Sequence, residues 1–378
     1  MRRPVALGVA WLLWIWGVAT ASAYFLSDAS GARGWPPCVT QRVTPLTRWD
    51  SGWYLSIAES GYELPPSARH QNTNHAFFPL YPLLMRLVVR TVGLETSHAG
   101  NVISGVSLLV ALVLFAGWVR KRWGEEGVWP ALLALVAFPT SFFFGAVYSE
   151  GLFLVLALAS VWAVDAKRPA ASVVAGFLAG LTRISGLALA PYLFLCQLRR
   201  EREAGRAGPG VWGRAAAVGA APLAGLALFF LYLQWRFGDP FLFVRAQQSW
   251  MSAPVGVLGG AGVACSNALR DIAGGRLFLD WPARTLEGLF LVLFLGIAVA
   301  LLVARRLPEA AYVGATVGLA LLNGTFESAG RYVLVAFPAF AALGGICRRS
   351  STRRLLLVGS LIAQAAYIWT FVHWYWAG

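Results

Sequence analysis

Residues 98–118 read HAGNVISGVSLLVALVLFAGW, and residues 119–123 continue as VRKRW. No acid, Lys or Arg interrupts the stretch from Ala99 to Val119. A hydrocarbon core about 30 Å thick is crossed by about 20 apolar residues at about 1.5 Å each. The run is long enough to span, and the cations that close it, Arg120, Lys121 and Arg122, form the kind of cluster that stays in the cytoplasm. The rest of the 378-residue chain agrees. Apolar residues make up 58% and charged residues 13%, against about 45–50% and about 25% in soluble domains. Mean hydropathy is +0.63. The sequence is therefore that of an all-α polytopic membrane protein. A soluble enzyme, a disordered chain and a disulfide scaffold are excluded, and 17 Trp suit a protein with two water–lipid interfaces.

Outward from that span, further apolar runs are expected to cross at about 128–147, 149–166, 212–236, 286–304, 308–323, 331–347 and 354–376. A first helix is expected from Val5 to about Leu26. Ala19-Thr20-Ala21-Ser22-Ala23 mimics a cleavage site, but the run exceeds the 7–15 residues typical of a signal peptide's apolar core. The run from Phe77 to Val92 is short and holds Pro79, Pro82, Arg86 and Arg90, so it is expected to lie at the interface. Region 171–198 reads either as one long helix or as two half-helices around Arg183 and Gly186.

Charge chooses between them. With the N-terminus in the cytoplasm and 171–198 a hairpin, the clusters Arg2–Arg3, Arg120–Arg122, Lys167–Arg168, 199–214, Arg305–Arg306 and 348–354 share one side. They hold 18 of the 31 basic residues, whereas six of the 17 acids lie there. That is the positive-inside pattern, and a single span at 171–198 would break it. The hairpin gives about eleven membrane segments. Two large segments, 27–97 and 237–285, then form outer loops on one integral membrane domain, residues 1–378. The net charge of +14 is read as this orienting excess, with no nucleic-acid partner. Of four cysteines, Cys38 and Cys265 fall in the outer loops and are the pair that could bridge them.

Polar residues that could do chemistry gather near the outer boundary. Arg48-Trp49-Asp50-Ser51-Gly52-Trp53-Tyr54 begins a helix whose Asp50, Trp53, Tyr54 and Ile57 share a face, while Glu59 lies half a turn away. A carboxylate among aromatics is a candidate base, although Asp50 also suits the N-cap of that helix. His75 opens the aromatic, proline-rich run to Pro82, whose rings also suit interfacial anchoring. Glu150 follows Tyr148-Ser149 between two spans, as a functional acid or as a helix-start carboxylate. Arg183 sits at the hairpin tip, and Arg331 with Tyr332 just outside a span. Both cations could meet a phosphate, or reach toward lipid headgroups.

Taken in order, Arg48-Trp49-Asp50, Ile57-Ala58-Glu59-Ser60-Gly61-Tyr62 and Ala76-Phe77-Phe78-Pro79-Leu80-Tyr81-Pro82 resemble the PIG-V family, the glycosylphosphatidylinositol mannosyltransferase II group and its prokaryotic relatives. Tyr148-Ser149-Glu150, Thr182-Arg183-Ile184-Ser185-Gly186, Gly238-Asp239-Pro240 with Gln247 and Trp250, and Arg331-Tyr332 continue the likeness. The resemblance implies a C-type glycosyltransferase with interfacial helices in its first outer loop. It implies inverting transfer of a sugar, commonly mannose, from a polyprenyl-phosphate donor to a lipid or glycan acceptor. Asp50 matches the acidic residue expected as base. Arg48, Trp49, Tyr54, Glu59, His75, Glu150, Arg183, Arg331 and Tyr332 are the expected substrate contacts. The compact chain points to a plasma-membrane relative from a prokaryote, and a eukaryotic member would sit in the endoplasmic reticulum.

The chemistry asks for little more. A polyprenyl phosphate already leaves readily, so the needs are one base and cations for the growing phosphate charge. No cofactor is called for and no DxD motif is present, although a single carboxylate with waters can hold Mg²⁺. A transporter would place ionisable groups at mid-membrane, whereas these acids lie at boundaries. A non-catalytic partner subunit of a glycosylation complex would keep the same fold.

Overall fold

A computed structural model describes residues 2–25, 44–63, 73–248, 283–322, 326–346 and 350–375, with isolated positions at 262, 263, 266 and 270. Every regular element among them is helical. Helix α1 (Arg2–Phe25) is followed by α2 (Ser51–Ser60), α3 (Leu80–Val92), α4 (Thr96–Trp123), α5 (Glu125–Ala137) and α6 (Glu150–Asp165). Helices α7 (Pro169–Gly180), α8 (Gly186–Glu203), α9 (Pro209–Phe237) and α10 (Leu242–Gln248) come next. The chain closes with α11 (Ala283–Val303), α12 (Leu307–Leu321), α13 (Ala329–Leu334), α14 (Phe337–Ile346) and α15 (Ser350–Val372). Among the described residues five helices are long and apolar enough to cross a membrane: residues 2–24, 96–123, 209–237, 286–303 and 353–372. Large apolar side chains such as Leu231, Val292, Val299, Leu355 and Ile362 are exposed on them. In water such surface would be costly, whereas lipid is its natural solvent. The protein is a multi-pass membrane protein, as its composition requires.

Region 171–198 is indeed a hairpin. The chain breaks at 181–185 between α7 and α8, and both arms pack on α9. Close approach is possible because the contact positions are glycines. A Cβ on Gly180 would overlap the Pro222 carbonyl, and one on Gly225 that of Phe177. This is the small-residue packing that membrane helices use in place of a hydrophobic driving force.

Two expected spans are interrupted. In the run at 128–147 the α-helix ends at Ala137, because Pro139 disfavours the helix at the residue before it and Phe138 turns extended, and only a short 3-10 turn follows at Ser141–Phe144. The freed carbonyls of Val136 and Phe138 accept bonds from Gln364 Nε2 of α15, both at 3.0 Å. Backbone cannot go unsatisfied inside lipid, so a polar residue in the last span completes the shortened one. The expected span 331–347 is likewise split into α13 and α14 at Val335 and Ala336, just before Phe337-Pro338, with the Val335 carbonyl taken by Tyr312 Oη at 3.0 Å. The run expected to lie at the interface forms a short helix, α3. Tyr81 Oη ties it to α4 through Ser104 Oγ at 2.8 Å and the Gly100 carbonyl at 3.0 Å. Arg86 ties it to α2 through the carbonyls of Ala58 and Ile57 at 2.7 and 2.8 Å. Cys38 and Cys265 lie outside the described residues, so their pairing is left as an expectation.

Candidate active site

Two acids begin helices here and neither caps its own. Asp50 stands at the N-cap of α2 with φ −57° and ψ −19°, and its side chain makes no capping bond. Glu150 is the first residue of α6. Both carboxylates thus lie at positive helix ends, where negative charge is favoured. They turn instead toward guanidinium groups carried by distant elements. Arg331 of α13 lies between them, with Nη1 2.7 Å from Asp50 Oδ2 and Nε 3.1 Å from Glu150 Oε1. Arg183, from the hairpin tip, completes the set with Nη1 2.6 Å from the same Glu150 oxygen. Four residues from four segments form one buried ionic chain, Asp50–Arg331–Glu150–Arg183.

The shell around it is aromatic and hydroxylic. The Arg331 guanidinium carbon lies 4.6 Å from the Tyr148 ring centre and 5.0 Å from that of Phe143, two rings that themselves meet edge to face at 4.8 Å; such cation–π contacts support a desolvated cation. Ser149 Oγ accepts from Arg183 Nη1 at 3.2 Å and lies 2.9 Å from Tyr54 Oη. Burial and the nearby Glu150 charge push the Tyr54 hydroxyl up to about 12, so it keeps its proton. Glu287 Oε2 accepts the Gly330 N–H at 2.6 Å, which holds the peptide next to Arg331.

Backbone strain marks both sides. Trp49, just before Asp50, has φ +56°, and Ser328, just before α13, has φ +64°. Non-glycine residues in this region cost about 1–3 kcal/mol and persist where the surroundings over-determine them. At Trp49 those surroundings include the Trp374 ring at 5.8 Å. Arg48 also contributes, donating to the carbonyls of Thr44, Thr47 and Val372 at 2.8, 3.1 and 3.2 Å.

Of the residues expected at the site, Asp50, Glu150, Arg183, Arg331 and Tyr54 come together. Arg48 and Trp49 buttress them. Tyr332 packs half-buried against the main core, and Glu59 is exposed near the end of α2. His75 is fully buried elsewhere, edge-on to Phe237 at 4.8 Å, with Nδ1 3.1 Å from Thr73 Oγ1. Burial lowers its pKa to about 4. Phe143, Tyr148, Ser149 and Glu287 were not among the expected contacts. Glu287 carried the clearest signal, an acid one residue inside an apolar span, which is paired or functional by default. Among the described residues no three His, Cys, Asp or Glu side chains gather as metal ligands would.

Residues 36–204 match the mannosyltransferase (PIG-V) family. That segment includes Asp50, Glu150 and Arg183 and stops before Arg331. The likeness read from the first-loop motifs is thereby borne out, and the family is one of glycosyltransferases. GPI mannosyltransferase 2 of Drosophila pseudoobscura pseudoobscura is 33% identical over 129 residues, which cover 30% of this chain and 26% of that relative. The match thus spans about a quarter of the relative's length.

Proposed function

We propose that the protein is an inverting glycosyltransferase. It moves a sugar, mannose by likeness to its family, from a polyprenyl-phosphate donor to a lipid or glycan acceptor at the outer face of a plasma membrane. The observation that carries the reading is Asp50. It holds a helix N-cap position, leaves the cap unmade and faces a guanidinium. Its side chain is 11% exposed, against 0% for Glu150, so Asp50 is the carboxylate an acceptor hydroxyl can reach.

In this mechanism Asp50 takes the acceptor proton while the acceptor oxygen attacks the anomeric carbon from the side opposite the phosphate. The anomeric carbon–oxygen bond to phosphate breaks, and the polyprenyl phosphate leaves with the electron pair. One negative charge disappears from Asp50 and one appears on the phosphate. Arg331, which touches Asp50 in the resting site, is released as the leaving group gains charge. A cation made available at that moment stabilises the transition state more than the ground state. Glu150 holds both guanidinium groups in place, and Arg183 supplies the second cation. The sugar's identity, the donor lipid, the outer-face orientation and the role of Asp50 are all parts of this proposal.

The test uses full-length protein in nanodiscs with radiolabelled polyprenyl-phosphate mannose and a membrane-lipid acceptor pool. Wild type is expected to transfer label, and Asp50→Asn to lose about 10²–10⁴ in rate while remaining inserted. Asn leaves Arg331 with Glu150 but without the Asp50 carboxylate on its Nη1, so donor half-saturation should fall or stay level. Transfer by Asp50→Asn at the wild-type rate removes Asp50 as base. A wild type that transfers from no such donor leaves the non-catalytic partner subunit as the better reading.

A further inference from the structure

At the other end of the bundle lies a second charged site that the transfer reaction does not use. Helix α6 connects the two: Glu150 begins it and Asp165 ends it, about 22 Å apart at 1.5 Å per residue. Around Asp165 the ends of α4, α6, α8, α11 and α12 enclose a cavity of about 380 Å³. Its cations are Lys121, Arg122, Arg199, Arg200, Arg305 and Arg306, and its acids are Asp165, Glu203 and Glu309.

The acids are already taken. Asp165 pairs with Lys121 and Arg122, each at 3.2 Å, Glu309 with Arg122 at 3.2 Å, and Glu203 with Arg199 at 2.7 Å. Arg200, Arg305 and Arg306 have no carboxylate partner among the described residues. Arg306 is nevertheless fixed, with its guanidinium carbon 4.0 Å from the Trp123 ring centre and Nη2 donating to the Arg122 carbonyl at 3.1 Å. Clusters that merely orient helices need only sit on the right side of the membrane, and they gain most by splaying into water. Here cations from three hairpin ends converge on one concave surface with three positive charges left over. The rim at Ala304 runs directly onto Leu302, Val303 and Leu307, all more than half exposed on the apolar face.

We infer that this cavity binds the phosphate headgroup of an anionic membrane lipid, with the acyl chains lying along α11. Basic pockets between membrane helices recognise such headgroups by charge and by arginine's forked donors. The exposed apolar rim favours a lipid over a free phosphate compound, because it gives the chains a surface continuous with the headgroup site. The site stands apart from the transfer chemistry and does not depend on it.

The test is native mass spectrometry of full-length protein released from nanodiscs of phosphatidylcholine doped with phosphatidylglycerol or cardiolipin. Arg200→Gln/Arg305→Gln removes two cations that hold no ion pair among the described residues. Arg2→Gln/Arg3→Gln removes the same charge elsewhere. Wild type and the Arg2/Arg3 variant are expected to retain one anionic lipid, and the Arg200/Arg305 variant to retain it roughly 25-fold less, from about fivefold per cation. Equal retention by both variants overturns the site. Inorganic phosphate is added to neutral nanodiscs as a second arm. Protection from thermal unfolding by phosphate, undiminished when anionic lipid is present, overturns the lipid as occupant.

Discussion

The Glu150–Arg183 pair offers a direct measure of how the quartet is held. Glu150 is fully buried and Arg183 is 9% exposed, with 2.6 Å between them. Replacing Glu150 by Gln keeps the volume and one acceptor but removes the charge. Arg183 then retains only the Ser149 hydroxyl, at 3.2 Å, while Arg331 keeps Asp50. Removing one member of a buried pair costs about 3–5 kcal/mol, chiefly through the stranded charge. Replacing Arg183 by Gln strands less, because Glu150 still has Arg331 at 3.1 Å. A cost of about 1–3 kcal/mol follows, comparable to leaving a buried polar group partly satisfied. The double variant has no stranded charge at this pair, so its cost should fall short of the sum by about 2–3 kcal/mol, the upper range for residues in one network. Reversible unfolding in mixed micelles, with all four proteins at one detergent composition, measures the cycle. If the two costs add to within about 0.5 kcal/mol, the pair is not coupled and Glu150 does not position Arg183.

Gly180→Ala should destabilise by about 1–3 kcal/mol, since overpacking forces α7 and α9 apart where the Pro222 carbonyl now sits; the same micelle assay reads it, and a neutral outcome removes close packing as the hairpin's support. His75 titrates near 6.5 when unfolded but at about 4 in the folded protein. Its contribution to stability is therefore complete above about pH 6.5 and is lost progressively as pH falls toward 4, and His75→Gln should flatten that part of the stability profile relative to wild type. In a background lacking the four native cysteines, Cys placed at Arg206 should react with an impermeant thiol reagent only after cells are opened, and Cys placed at Glu59 in intact cells. Labelling of position 206 from outside would reverse the assigned orientation.

Most of the architecture was legible because lipid leaves the chain few options. A run such as 99–119 can only span, and the basic clusters allow one consistent threading. The same logic located the hairpin at 171–198, since a single span there would have put the 199–214 cations on the wrong side. The shortened helix at Ala137 was harder to see. Pro139 announced a break, but the compensation lies 225 residues away in Gln364, and nothing local pairs a lone amide in the last span with carbonyls in the fifth helix. The site divides in the same way. Asp50 and Glu150 stand out as acids at span boundaries, whereas the sequence could not show that one cation, Arg331, would join them from 281 and 181 residues away. It also left open whether Asp50 merely caps its helix. That question turns on where a side chain points. An N-cap carboxylate is satisfied by its own backbone, and the cap costs about 1 kcal/mol when lost. A desolvated guanidinium offers a stronger, charge-assisted bond. Arg331 is buried beside Asp50 and shares its other carboxylate, Glu150, with Arg183, so the competition for the Asp50 carboxylate is decided in its favour and the helix start goes uncapped. The same substitution, Asp50→Asn, therefore leaves helix α2 little changed and acts on the proposed proton transfer and on the charge facing Arg331.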